Sequence, residues 1–491
     1  MLPSSILALT CRAFRDLALD VLYSHLTDSL PLWSCLPSEL RQPHRSSSSP
    51  VCNTPEQFLP LILRAARVHI FFNPGSFPFF LASAPKDAPL FPKLRSLTWC
   101  DSHLTSIPTL SLFLPTLEAL SLYINNAPFC QAVVPDLRTT APRLKALEFR
   151  GHLVTTGDDP SEIELLLLGY PEGLTALSFL LCDIPSSLLH DIALWPRLQW
   201  LTLKLGSNSI PTLPLQVLQP FPALTRLHIS CEELGHFISF LRAFQILTMD
   251  SDTRSFGCRN LKTIHVSAQR CSPGSIWSEL LIIFTRTQLE HIIFTEGCRH
   301  QECPNAPSFF DFHPLLVHPT ALANLKTLVI SPVITSSIAL TDSDILTLAR
   351  TCPCLEILNI GVCNTPISLY TLAILVNCCR ELREVSLCVD VRLDALGTPP
   401  LDDDQAALQP NTRLRKLLVG VSPIACVGPL DPPTAPDLMR SIPRFLNMMA
   451  PLLRVSWIPG KEGLQKMYNK RWNVVSNTLE VMAKGEVDDG N

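Results

Sequence analysis

Charge is scarce in this chain. Only 17% of its 491 residues are Asp, Glu, Lys or Arg, and the net charge is −4. No basic excess marks the chain for nucleic acid. Glycine is also sparse, at 18 residues. None of the motifs G-x-x-x-x-G-K-[S/T], G-x-G-x-x-G, G-x-S-x-G or H-E-x-x-H occurs, so there is no sign of a phosphate cradle or hydrolase elbow. Apolar stretches such as 278–285 and 367–379 stop short of the roughly 18 to 20 residues a spanning helix requires. The amino terminus places its charges, from Arg12 onward, after a short apolar run, the reverse of a secretory signal. N-x-[S/T] sequons are absent too. These absences predict an intracellular chain, cytoplasmic or nuclear, whose 18 cysteines are reduced thiols. They also predict no membrane partner, no cofactor and no metal.

Abundance points elsewhere. Hydrophobic residues make up 47%, and 44 prolines are spread along the chain. That density suits many short elements better than long helices. The pattern L-x-x-L-x-L, with other apolar residues allowed, begins at Leu94, Leu117, Leu144, Leu174, Leu198, Leu224, Leu261, Leu289, Leu325, Leu355, Leu382 and Leu414. Weaker copies start at Ala65 and Leu452. The twelve clear copies recur about every 29 residues, the spacing of leucine-rich repeats. One unit cannot bury its own leucines, so copies must stack as parallel strands about 4.8 Å apart. The expected fold is an α/β leucine-rich-repeat solenoid, or horseshoe, with parallel strands on the concave face. Segments 343–350 and 368–378 have helical spacing and form part of the return path, with Leu346, Leu348, Leu372 and Leu375 as core contacts.

The densest cysteine stretch, LTDSDILTLARTCPCLEILNIGVC from Leu340, resembles the cysteine-containing class of leucine-rich repeat. Leu340, Thr341, Asp342, Ile345, Leu348, Ala349, Cys352, Pro353, Leu355, Leu358, Ile360 and Cys363 fall on that pattern. The resemblance makes Cys352 and Cys363 structural and leaves Cys354 without a task. Residues Cys298, His300 and Cys303, with His313 and His318 nearby, lack common zinc spacing and are read as an insertion. Asp402 to Asp404 read as a solvated loop.

Residues 6–26, ILALTCRAFRDLALDVLYSHL, resemble the second half of an F-box, without its first helix. With the repeats, the chain is similar to F-box/leucine-rich-repeat proteins, including a large fungal group. The resemblance implies a non-enzymatic receptor that joins a Skp-type adaptor, and through it a cullin, in a ubiquitin ligase. Leu7, Leu9, Cys11, Phe14, Leu22 and Tyr23 would be the adaptor contacts. The alternative is a leucine-rich-repeat interaction scaffold outside any ligase. The domain reading is a partial F-box-like segment at 1–40 and a Ser/Pro-rich linker at 41–55. A repeat solenoid with capping elements follows at 56–460, then a terminal helix and acidic tail at 461–491.

The strand positions between the leucines face outward. Trp200, Arg226, His228, His265 and His291 occupy four consecutive copies of the pattern. Trp and Arg dominate binding hot spots, so this group is the expected docking patch for an unidentified protein substrate.

Overall fold

The fold is given by a computed structural model. It describes residues 12–28, 30–35, 55–73, 91–100, 116–123, 137, 141–150, 167, 170, 173–183, 186–206, 220–244, 258, 260–284, 288–297, 309–317, 322–332, 337–361, 364–391, 409–420, 422–424, 436–457 and 463–484. Chain contacts divide it into two units, one comprising 1–204 with 217–224, the other 205–216 with 225–491.

In the first unit seven strands run in chain order: β1 (His25–Leu26), β2 (Ile70–Asn73), β3 (Ser96–Cys100), β4 (Ala119–Tyr123), β5 (Ala146–Arg150), β6 (Ala176–Asp183) and β7 (Trp200–Leu205). All pair in parallel. Each L-x-x-L-x-L alternates in and out as a pleated strand must. The second leucine of every copy therefore meets its equivalent next door: Leu97, Leu120, Leu147, Leu177 and Leu201 form one in-register row. The third apolar position builds a second row from Trp99, Leu122, Phe149 and Phe179. All nine are buried, and the Phe149 and Phe179 rings stack at 5.1 Å.

In the second unit the ladder is β8 (Arg226–Cys231), β9 (Thr263–Ala268), β10 (His291–Glu296), β12 (Thr327–Ser331), β14 (Ile357–Asn359), β16 (Glu384–Ser386), β18 (Lys416–Leu418) and β19 (Arg454–Ser456). An equivalent row runs through Leu227, Ile264, Ile292, Leu328, Leu358, Val385, Leu417 and Val455. Two small parallel ladders, β11 (Phe309–Asp311) with β13 (Ser337–Ala339) and β15 (Ile367–Ser368) with β17 (Val389–Asp390), lie outside that ladder. The leucine-rich-repeat solenoid expected from the sequence is the fold the chain adopts.

Two backbone features repeat in both units. One carbonyl ahead of each strand accepts two amides from the next copy: Glu118 O takes Lys145 N at 2.8 Å and Ala146 N at 2.9 Å, and Lys262 O takes Glu290 N at 2.8 Å and His291 N at 3.0 Å. Before seven of the first leucines, a buried residue three positions back accepts that leucine's amide. Phe91, Ala141, Phe221, Cys258, Leu322, Cys352 and Cys379 all do so. At Asn411 the side-chain Oδ1 substitutes, taking Leu414 N at 3.1 Å. This is the place of the cysteines flagged by the sequence. Cys258, Cys352 and Cys379 fill a turn that Phe or Leu fills elsewhere. Cys363 lies outside the described residues.

Helices return the chain where they are described. Thr341 and Asp344 form a capping box that starts helix Asp342–Thr351, and Ser368 caps Leu369–Cys378. Leu348, Leu372 and Leu375 are buried as expected, but Leu346 is not. The helix instead turns Ile345, Leu348 and Ala349 inward. The capping box starts the helix at Asp342. Helix Gly274–Phe284 opens where a Cβ on Gly274 would lie 2.3 Å from Phe309 O, so only glycine fits.

Helix Gly463–Ala483 buries Trp472, Val475 and Leu479 and packs on β19. Of the segment read as a linker, 41–54 lies outside the described residues. Asp402 to Asp404 lie outside them as well. The expectation that all cysteines are reduced fails at Cys271, which is disulfide-bonded. Composition counts thiols but does not register which ones the fold brings into bonding range.

Burial pushes the thiol pKa of Cys352 up to about 11 and of Cys379 up to about 12, while Cys354 and Cys378 are exposed. The thiolate is the reactive form. Maleimide labelling of native protein at neutral pH, read by peptide mass spectrometry, therefore modifies Cys354 and Cys378. Cys352 and Cys379 react only after denaturant is added.

Candidate functional site

The register of the second unit sorts the outward residues into rows. In one, Arg226 and His291 both pair with Thr263, and His291 pairs onward with Thr327. In the next, His228 pairs with His265, followed by Ile293 and Val329. The imidazoles of His228 and His265 stack with centroids 4.2 Å apart and planes within 5°. His291 sits two residues out of step, and its Nδ1 lies 3.0 Å from Thr327 Oγ1.

Burial is the leading cause of lowered pKa at all three histidines. It takes His228 down to about 4, with His265 adding to the shift. His265 is lowered by burial alone. At His291 the neighbouring Glu290 opposes the shift. A stacked imidazole pair is stable only while at most one ring is charged, because like charges at that spacing repel. The three imidazoles are therefore neutral at physiological pH.

Below this face runs a row of alternating charge. Glu290 receives Lys262 at 2.8 Å and Lys326 at 2.6 Å. Hydrogen bonds from the two ammoniums hold its carboxyl at about 2. Exposed pairs contribute little stability each. Their alternation does penalise a slipped register, in which like charges would face one another.

Trp200 belongs to the first unit, 49% exposed and in register with Ala176. Of the five residues expected as one patch, His228 and His265 stack, Arg226 and His291 lie one row away, and Trp200 opens β7 of the first unit. The first unit also carries an outward network. Ser121 Oγ donates to Glu148 Oε2 at 2.8 Å, Arg150 pairs with Glu148 at 2.8 Å, and Arg150 Nη1 donates to the Tyr123 hydroxyl at 2.6 Å. These groups satisfy one another across strands.

Of the expected adaptor contacts, Leu7, Leu9 and Cys11 lie outside the described residues. Phe14, Leu22 and Tyr23 fall on helix Arg12–Ser24. Leu22 is half-buried, and Tyr23 is buried with the Arg64 guanidinium 5.6 Å from its ring centroid. Arg67 ties that helix down through Asp20 at 2.7 Å and Asp16 at 2.9 Å.

What the helix exposes is a different pair, Leu17 at 63% and Val21 at 65%. The neighbouring helix, Pro55–Ala65, exposes Leu59 and Leu63, each more than half. Both pairs have i, i+4 spacing, so each forms one stripe on its helix. That spacing was available in the sequence. Which face of each helix is left uncovered was not.

Cys298, His300, Cys303 and His318 lie outside the described residues. His313 Nδ1 sits 3.1 Å from Asp344 Oδ1 and so braces the capping box. Among the described residues no group of three or more His, Cys, Asp or Glu side chains could hold a metal. No described helix is long and apolar enough to cross a membrane.

No protein-family model matches the chain, and no curated protein matches it. Among solved structures it is similar to a TLR13–ssRNA13 complex, with 13% identity over 76% of this chain and a TM-score of 0.36. The chain covers 55% of that protein's length. A leucine-rich cell surface protein from Faecalibacterium prausnitzii A2-165 also matches, at 12% identity, with 83% of this chain and 86% of that one covered and a TM-score of 0.16. At these scores neither carries an argument. The fold assignment rests on the strand rows.

The histidine pair sets a pH dependence. His228 binds its proton more weakly folded than unfolded, so the unfolded state holds more protons between pH 6.5 and about 4. Stability is full above pH 6.5 and falls as pH drops through that window. The ceiling is about 3 kcal/mol, and the actual loss is smaller because the ring is only half-buried. At His291, Lys326 and Arg226 add to the lowering by burial, whereas Glu290 and Glu356 work against it. Urea midpoints of wild type and His228→Gln at pH 7.5 and pH 4.5 test this: the variant loses less stability on acidification.

Proposed function

We propose that the chain is the substrate-recognition subunit of a Skp–cullin–F-box ubiquitin ligase. Its amino-terminal helices hold the adaptor, and its outward strand face in the second unit holds a protein target. The observation that carries this reading is the apolar surface on the amino-terminal block. Leu17, Val21, Leu59 and Leu63 are all more than half exposed, in a chain with only 17% charged residues and a large buried core. Large exposed apolar side chains grouped on adjoining helices are an interaction signature. Leu17 and Val21 lie within the segment whose residues resemble an F-box, and Leu59 and Leu63 lie on the helix that follows segment 41–54.

In this role the protein makes and breaks no bonds. It raises the effective concentration of a target near the ubiquitin-charged enzyme and fixes its orientation. A rigid strand ladder suits that task, since target groups held by His228, His265, Arg226 and His291 keep a constant geometry. The setting that follows is the cytoplasm or nucleus, where such ligases act.

A second reading, an interaction scaffold outside any ligase, is favoured by two observations. Tyr23 is buried beneath Arg64 and so is not offered to a partner. Cys271 is disulfide-bonded, which is uncommon in a reducing compartment.

A pull-down of the full chain with purified Skp adaptor decides between them. The ligase reading expects wild type to bind, with binding reduced at least about tenfold in Leu17→Asp/Val21→Asp and in Leu9→Asp/Phe14→Asp. Unchanged circular dichroism of both variants shows that they fold. Absence of wild-type binding contradicts the ligase role and leaves the scaffold.

A further inference from the structure

The alternation of charge ahead of the strands breaks at the end of the second unit's ladder. The residue after each first leucine runs Lys262, Glu290, Lys326, Glu356 and Arg383, giving the ion pairs Lys262–Glu290–Lys326 and Glu356–Arg383. The next in line is Arg415, a second positive charge. The neighbouring outward row breaks at the same place. Glu384 takes Lys416 at 2.6 Å, but the register partner of Lys416 on β19 is Arg454. Both arginines are exposed, and Arg454 N donates to Arg415 O at 2.9 Å, so their backbones adjoin. Among the described residues neither guanidinium has an ion pair, whereas Arg383, Arg413 and Lys416 around them each do. Like charges on facing positions repel, so this corner lacks a negative partner.

We propose that Arg415 and Arg454 dock an acidic segment of the chain itself, residues 485–491, which carries Glu486, Asp488 and Asp489. Placement and charge both select that occupant.

Helix Gly463–Ala483 runs antiparallel to β19, the strand that closes the ladder. Arg471 Nη1 donates to Ile424 O at 2.8 Å and Trp472 Nε1 to Ser422 O at 3.0 Å, both past the exit of β18. One turn later Ser476 Oγ donates to Val455 O at 3.2 Å, in the middle of β19. The helix therefore advances toward the strand entry and ends about 10 Å beyond Ser476, on the side of Arg454. Residues 485–491 lie outside the described residues. Seven residues span at most about 25 Å, ample to reach two strands about 4.8 Å apart.

The segment holds three carboxylates and no basic side chain. Guanidinium–carboxylate contacts are the strong form of exposed pairing. In water each is weak and screened by salt, so it is the tether, by raising effective concentration, that makes the contact persist. Docked there, the segment covers the outward face of β18 and β19, and a partner reaches that end of the face only by displacing it. The contact stands whether or not the chain joins a ligase.

Phenylglyoxal modification of the full chain at low salt, read by peptide mass spectrometry, tests the proposal. Deleting 485–491, or making Glu486→Gln/Asp488→Asn/Asp489→Asn, raises the modification rate at Arg415 and Arg454 about threefold, the factor for a segment docked about two-thirds of the time. Arg444, exposed on helix Pro436–Met449, reacts equally in all. Salt at about 0.5 M brings wild type up to the variants. Asp402→Asn/Asp403→Asn/Asp404→Asn, which removes the other acidic run, leaves the rates as in wild type. Unchanged circular dichroism shows that each variant folds. Equal rates at both arginines in wild type and the two tail variants, or a rise in the 402–404 variant instead, overturns the proposal.

Discussion

Everything in this protein depends on keeping parallel strands in register. A parallel pair has no tight turn to fix its alignment, so alignment must come from the side chains and from the bonds at strand entry. Both are supplied once per repeat. The doubly accepting carbonyl, as at Glu118 and Lys262, anchors the first residues of the next strand. The leucine rows then fill the interior behind it. A slip of one residue would turn every leucine outward and every outward residue in. The repeats are interchangeable inside for the same reason that they are free to vary outside.

That division explains which unusual residues are scaffold and which are not. Buried cysteines at 258, 352 and 379 occupy the same turn as Phe91, Ala141, Phe221 and Leu322, so the position takes apolar side chains of several sizes. Several polar residues in the core replace missing backbone bonds. Asn364 bonds Cys388 through both its amide atoms, Ser422 Oγ accepts Val389 N at 2.7 Å, and Asn411 closes its turn. Outward rows carry no such duty. There the chain places imidazoles, a guanidinium and hydroxyls in columns whose spacing the sheet dictates.

The repeat was readable from the sequence because each copy solves the same packing problem with the same residues. The stacked histidines were readable in part: both fall at the fourth place after their first leucine, while His291 falls at the second. That offset already separates the two rows. Three features were not readable. Leu346 was taken as a core contact because helical spacing alone does not say which leucines face the interior; the helix buries Ile345, Leu348 and Ala349. The exposed face of the amino-terminal helices depends on the ion pairs of Arg67 with Asp16 and Asp20, which join residues far apart in sequence. The disulfide at Cys271 depends on a pairing that composition does not encode.

The central claim is that inward rows hold the fold and outward rows are left over for binding. Urea unfolding of paired variants in each unit measures it directly: Leu147→Ala against Ala146→Ser in the first, Leu358→Ala against Thr263→Ala in the second. The account predicts losses of about 2–5 kcal/mol for the leucines and about 0.5 kcal/mol or less for the outward partners. Comparable losses at inward and outward positions would contradict it, since the outward residues would then be part of what holds the strands together.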